Sequence, residues 1–128
     1  MSNLFEHIKT KLYHGIGVSV DEVIEAENTL GIRFHEEYRN YLLEYGVASF
    51  GSHEFLGLGG DSYLDVVQET LQERVNNQMF PRNCYVIENL GIEGILILQE
   101  EGGEVFAWSN GELKKIYDNM GLYIGSLE

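Results

Sequence analysis

The segment RFHEEYRNYLLEYG, residues 33–46, sets a histidine beside two glutamates and follows them with three tyrosines at helical spacing. Imidazole and carboxylate on one helix can bind a metal ion or pass protons. A zinc-protease helix, however, needs a second histidine four residues after the first so that both rings face one ion, and that position holds Arg39. The motif fails. His35 falls at the start of the predicted helix, and Glu36 and Glu37 fall in its first turn, where carboxylates meet the positive end of the helix dipole. Packing, with Tyr38, Tyr41, Leu42 and Tyr45 on one face, is the preferred reading. His7, His14 and His53 are scattered without ligand spacing, so no metal or other cofactor is expected.

Other candidate chemistry is thinner. GLGGD, with Gly57, Gly59, Gly60 and Asp61, has the backbone freedom of a phosphate loop but lacks the Lys-Ser/Thr ending and the full Gly-x-Gly-x-x-Gly pattern, which leaves a tight strand-to-helix connection. Cys84 opens a predicted strand with no neighbour that would lower its pKa. Ser49, Ser52, Ser62 and Ser109 lie in turns outside any Gly-x-Ser-x-Gly, and no nucleophilic triad assembles. Two carboxylate features remain. Glu27 shares a helical stripe with Val20, Val23, Ile24 and Leu30, so it should point inward, where a carboxylate must be paired. A structural role, fixing the turn before the next helix, is preferred over a catalytic one. Asp61, Asp65, Glu69 and Glu73 recur every four residues and would stack like charges on one helix face. A solvated face is the plain reading, and a docking strip for a basic partner is the functional one.

The elements that must position these groups follow from periodicity. Residues 2–14 carry Leu4, Phe5, Ile8 and Leu12 on one stripe and predict an opening helix. Ser19 with Glu22 three residues later forms a capping-box signal for a second helix, which runs through Val23, Ile24 and Leu30 to a stop at Gly31. The tyrosine-bearing segment makes a third, ending at Gly46. HEFLGL reads as a short strand, and residues 63–78 as a helix with Leu64, Val67, Leu71 and Val75 inward. CYVIEN, GILILQ, EVFAW and LKKIY then form an antiparallel meander, with Asn110-Gly111 as a hairpin turn and GILILQ, apolar on both faces, as the central strand. A short helix capped by Asp118 closes the chain. The expected fold is α+β, a single domain over residues 1–128, with N-terminal helices packed against a mainly antiparallel meander sheet and a helix inserted between the first and later strands.

Twenty-one acidic against eight basic residues give a net charge of -13, which disfavours DNA or RNA and favours basic partners. The single cysteine and the absence of a long apolar stretch at the start point to the cytoplasm, and no apolar run reaches the length of a membrane span.

The succession VSVDEVIEAENTLGIRFHEEYRNYLLEYG, EFLGLGG, GIEGILIL and GEVFAWSNGELKKIY resembles the SUKH superfamily, which includes bacterial immunity proteins and a yeast cell-wall synthesis regulator. The strongest parts are the Glu27-x-x-Leu30-Gly31 element, the tyrosine-rich helix, and the late hairpin with Trp108; His35 stands where the family commonly has proline. The resemblance implies an α+β fold and a function without catalysis: binding and neutralising the toxin domain of a cognate polymorphic or contact-dependent toxin, with a nuclease the preferred target because its substrate groove is basic. A regulatory scaffold built on the same fold is the alternative. The candidate toxin interface comprises Asp61, Asp65, Glu69 and Glu73 of the acidic helix, with Glu104 and Trp108 of the hairpin.

Overall fold

The computed structural model describes residues 4–5 and 11–127, so the expected opening helix over residues 2–14 lies largely outside the described residues. Its end is not helical. Tyr13–His14 forms a short strand, β1, paired antiparallel with Ser49 and Ala48 of β2 (Ala48–Phe50). Neither strand was legible as such, because two or three residues are too few for alternation to register.

Helix α1 (Val20–Leu30) starts as its residues dictate. The Ser19 side chain accepts a hydrogen bond from the Glu22 amide at 3.2 Å while Glu22 Oε1 accepts from the Ser19 amide at 3.0 Å. Gly31, at φ 70°, closes it. Its buried stripe is Val23, Ala26 and Leu30; Ile24, expected inward, is 46% exposed. The stripe is narrow because α1 lies on the outside, against α2 and α3.

Helix α2 (Glu36–Glu44) is capped by His35, whose Nδ1 accepts from the Glu37 amide. Tyr38, Tyr41 and Leu42 are fully buried. Their packing leaves no polar orphan: the Tyr38 hydroxyl donates to the Leu56 carbonyl at 2.7 Å and that of Tyr41 to the Phe55 carbonyl at 3.1 Å. Strand β3 (His53–Phe55) completes a hairpin with β2.

Between β3 and the later strands lie a 3-10 turn (Ser62–Leu64) and helix α3 (Val66–Asn76). The helix starts later than expected because the Asp65 side chain caps it, accepting from the Gln68 amide. The buried face is Val66 and Thr70, with Val67 and Leu71 half-buried and Val75 in solvent at 78% exposure, against the inward stripe that spacing suggested. The Thr70 hydroxyl accepts from the Val86 amide, next to a bulge in β4 (Cys84–Asn89).

Strands β5 (Leu96–Glu100), β6 (Val105–Ser109) and β7 (Glu112–Tyr117) follow as a meander, and the sheet order is β1 to β7 in sequence. Asn110 and Gly111 both take positive φ, 53° and 81°, as a two-residue turn between right-twisted strands requires. The two short strands at the N-terminal side move the centre of the sheet to β4, so GILILQ is off-centre although β5 is buried on both faces. Helix α4 (Met120–Gly125) is capped by Asn119, which accepts from the Leu122 amide at 2.9 Å, and not by Asp118. Asp118 instead pairs with Lys115 at 2.7 Å. Asn119→Ala should therefore lower stability by about 1 kcal/mol in urea titration, the usual cost of losing a cap. Asp118→Ala should leave α4 capped. Among the described residues the architecture is thus α+β, four α-helices packed on a seven-stranded antiparallel meander.

Candidate functional site

The acidic residues of the predicted strip are divided by the fold into different tasks. Asp61 is exposed ahead of the 3-10 turn, Asp65 is the α3 cap, and only Glu69 and Glu73 sit on the helix itself. Helix α1 runs beside α3, however, and adds its own carboxylates. Glu22, Glu25 and Asp65 rim a cleft of about 260 Å³ floored by Ala26, Leu58 and Val67. Asp65 also borders a second concavity of about 480 Å³, lined by Tyr63, Gln68, Glu69 and Gln72. Neither lining contains a lysine or arginine.

The charged side chains in both linings are all carboxylates. The Tyr63 hydroxyl lies 3.5 Å from Glu54, and its pKa is raised, foremost by the charge of Glu54 and in smaller part by Asp61. Glu69 is raised by burial and by the neighbouring Glu73. Tyr63 is 57% exposed, an aromatic ring standing at the edge of an acidic surface. Such a surface can attract and orient a cationic one, and the ring can supply the apolar contact that charge alone lacks.

The hairpin candidates are placed differently. Glu104 is half-exposed and bonded to Lys115 at 2.9 Å, and that bond holds its carboxyl below the usual range. It borders neither concavity. Trp108 is 4% exposed and packs edge-on against Phe80 at 5.6 Å. The ring serves this protein's own core, which takes it off the accessible surface.

Glu27 is held inside the helical layer, its side chain 11% exposed. Its Oε2 accepts from the Phe34 amide at 2.8 Å and from Arg39 Nη2 at 2.7 Å. One carboxylate thereby ties α1 to the loop before α2 and to α2 itself. Arg39, the residue that breaks the zinc motif, is its counter-ion.

Two further carboxylate sites, one partly and one fully buried, escaped sequence reasoning. Glu37 reaches from the first turn of α2 to the start of α4, where Oε1 accepts from the Met120 amide and Oε2 from the Gly121 amide, at 2.9 and 3.0 Å. It also accepts from Gln99, a fully buried amide that in turn accepts from the Tyr85 hydroxyl. Glu88, 1% exposed in β4, is paired with His53 at 2.7 Å and accepts the Tyr123 hydroxyl. The only sequence signal for Glu88 is a carboxylate inside the apolar run CYVIEN, which names no partner. Among the described residues, no group of three or more His, Cys, Asp or Glu side chains is arranged to hold a metal ion.

Cys84 is buried, and burial pushes its thiol up to about 12, with Glu100 and Glu101 adding to the shift. At pH 8 it is almost wholly protonated. A disulfide thiol reagent should leave the folded protein unmodified over hours and titrate one thiol within minutes in denaturant; rapid reaction of the native chain would show a thiolate that burial does not allow.

Among the described residues, no helix is long and apolar enough to cross a membrane. A SUKH family model described as SMI1-KNR4 cell-wall matches residues 1–127. No curated protein matches the chain.

Proposed function

The chain belongs to the SUKH family, and from that membership we propose that it is a non-catalytic immunity protein that neutralises a cognate toxin domain by stoichiometric binding. Membership is consistent with a toxin-immunity role. The observation that carries the reading is the acidic surface of α1 and α3, two adjoining concavities rimmed by Glu22, Glu25, Asp65 and Glu69 with Tyr63 exposed beside them and no cation in either lining. A partner with a basic groove, as a nuclease has, is complementary to that surface and is the preferred toxin. Binding there would cover the groove that the toxin uses for its own polyanionic substrate. A net charge of -13 works against direct contact with nucleic acid and speeds encounter with a basic protein. The place of action on this reading is the cytoplasm, where a toxin would reach its target.

The face is testable without disturbing the fold. Asp65 and Glu22 cap helices, so the informative charge reversals are Glu25→Lys, Glu69→Lys and Glu73→Lys together. Stopped-flow mixing with the toxin domain at low salt should show association slowed by about tenfold or more, and the gap should close as salt is raised. An unchanged association rate at low salt would remove the face from the interface.

A second reading, a regulatory scaffold, is favoured by the description of the matched family model, which refers to the cell wall. On that reading the same acidic face binds a host protein, and co-expression with the toxin confers no protection.

A further inference from the structure

Phe55, Glu88, Ile97, Ala107 and Lys114 stand opposite one another in register across β3 to β7, and so share one face of the sheet. The row is closed at one end, where Phe55 and Glu88 are buried, and open at the other, where Lys114 is exposed. Between them runs a groove of about 680 Å³ with Ile95, Ile97, Ala107 and Ile116 in its floor and Tyr117 and Tyr123 beside them. Its inner end offers no free charge, since Glu88 is taken by His53 and Tyr123. At its outer end Lys114 has no carboxylate within ion-pair range among the described residues, whereas Lys115 is clamped between Glu104 and Asp118.

Among the described residues β7 is the last strand of the sheet, so one side of its backbone presents unpaired N-H and C=O groups beside this groove. A second copy is a poor occupant: antiparallel self-pairing centred on Lys114 and Lys115 sets like charges directly opposite each other. We propose that β7 and the adjoining groove receive an extended segment of a partner protein, whose groove-facing side chains are apolar except for one carboxylate opposite Lys114. Backbone pairing along β7 supplies affinity, alternate side chains fill the groove, and the carboxylate sets the register. This surface is opposite in charge preference to the α1–α3 face, and it gives the protein a second, separate docking site.

The probe is a pair of fluorescein-labelled octapeptides, SVSESISV and SVSKSISV, titrated into the full chain by anisotropy and mapped by amide chemical shifts. The glutamate peptide should bind at least tenfold more tightly than the lysine peptide, with shifts confined to β7 and the groove and slowed exchange of outward β7 amides. Lys114→Glu, an exposed change that leaves the fold intact, should reverse the preference. Equal or tighter binding of the lysine peptide, shifts centred on α1 and α3, or no binding of either peptide would overturn the proposal. So would dodecanoate producing the groove shifts when the peptides do not, which would make the site a small-amphiphile pocket, or sedimentation showing a dimer whose outward β7 amides are already protected without peptide, which would make the occupant a second copy.

Discussion

Gly57→Ala is expected to cost about 3 kcal/mol or more and to shift the urea midpoint accordingly, with the slope of the transition unchanged. A β-carbon at this position would lie 1.7 Å from the Gly46 carbonyl oxygen and 2.9 Å from its carbon. Both atoms are backbone, so no rotamer change relieves the clash. The segment cannot simply slide away, because the Gly57 amide donates to the Leu64 carbonyl, its own carbonyl accepts from the Val66 amide, and the Leu58 amide donates to that same Gly46 carbonyl. Three connections thus converge where the chain leaves β3 for α3. Gly51 offers the contrast: a β-carbon there would meet nothing within 4 Å, so the crowding found at Gly57 is absent. Its positive φ of 59° leaves backbone strain as the cost of substitution. A Gly57→Ala protein as stable as the parent would mean that the two backbones do not approach so closely.

Glu37→Ala is expected to cost about 2–4 kcal/mol, the loss of several charge-assisted hydrogen bonds from a partly buried carboxylate. The Met120 and Gly121 amides are the first two of α4 and have no partner within their helix, so Glu37 completes from a distance the cap that Asn119 begins. Its removal should release α4 and expose the Gln99 amide beneath it. Hydrogen exchange should show this as faster exchange of α4 amides at a denaturant concentration where β4 and β5 remain protected. Glu36→Ala, one residue away and exposed, serves as the control and should change stability by no more than about 0.5 kcal/mol.

These two sites mark where sequence reasoning ends. Features set by neighbours in the chain were legible: the Ser19–Glu22 capping box, the Asn110-Gly111 turn, the buried tyrosine face of α2 and the strand pattern after residue 83 all follow from periods and local chemistry. The inward direction of Glu27 was legible for the same reason, though its bond to Arg39 was not. Choices between adjacent, chemically similar residues were less so. Asp118 and Asn119 are both good caps; Asn119 takes the cap and Asp118 pairs with Lys115, a choice that local chemistry does not decide. Asp65 looked like one charge in a strip, whereas its capping bond to the Gln68 amide sets the start of α3. Contacts between distant segments were not legible at all. Glu37 meets residues more than eighty positions away, and Trp108, an apparent surface anchor, faces Phe80 from the other side of a strand whose outward and inward faces are both largely apolar.

The same limit applies to the proposed interface. Spacing along one helix suggested a linear strip, whereas packing of α1 on α3 makes a two-helix surface to which Glu22 and Glu25 contribute and from which Glu104 is absent. Charge identity survives that rearrangement; geometry does not.

On the proposed function the chain protects by binding and not by chemistry. The most direct measurement of this is light scattering on a gel-filtration column after co-expression with the cognate toxin domain, paired with growth of the expressing cells. A one-to-one complex together with restored growth, both weakened by the Glu25, Glu69 and Glu73 reversals, is the expected result. Persisting growth arrest with a folded protein that elutes alone would contradict it, as would protection at amounts far below one protein per toxin.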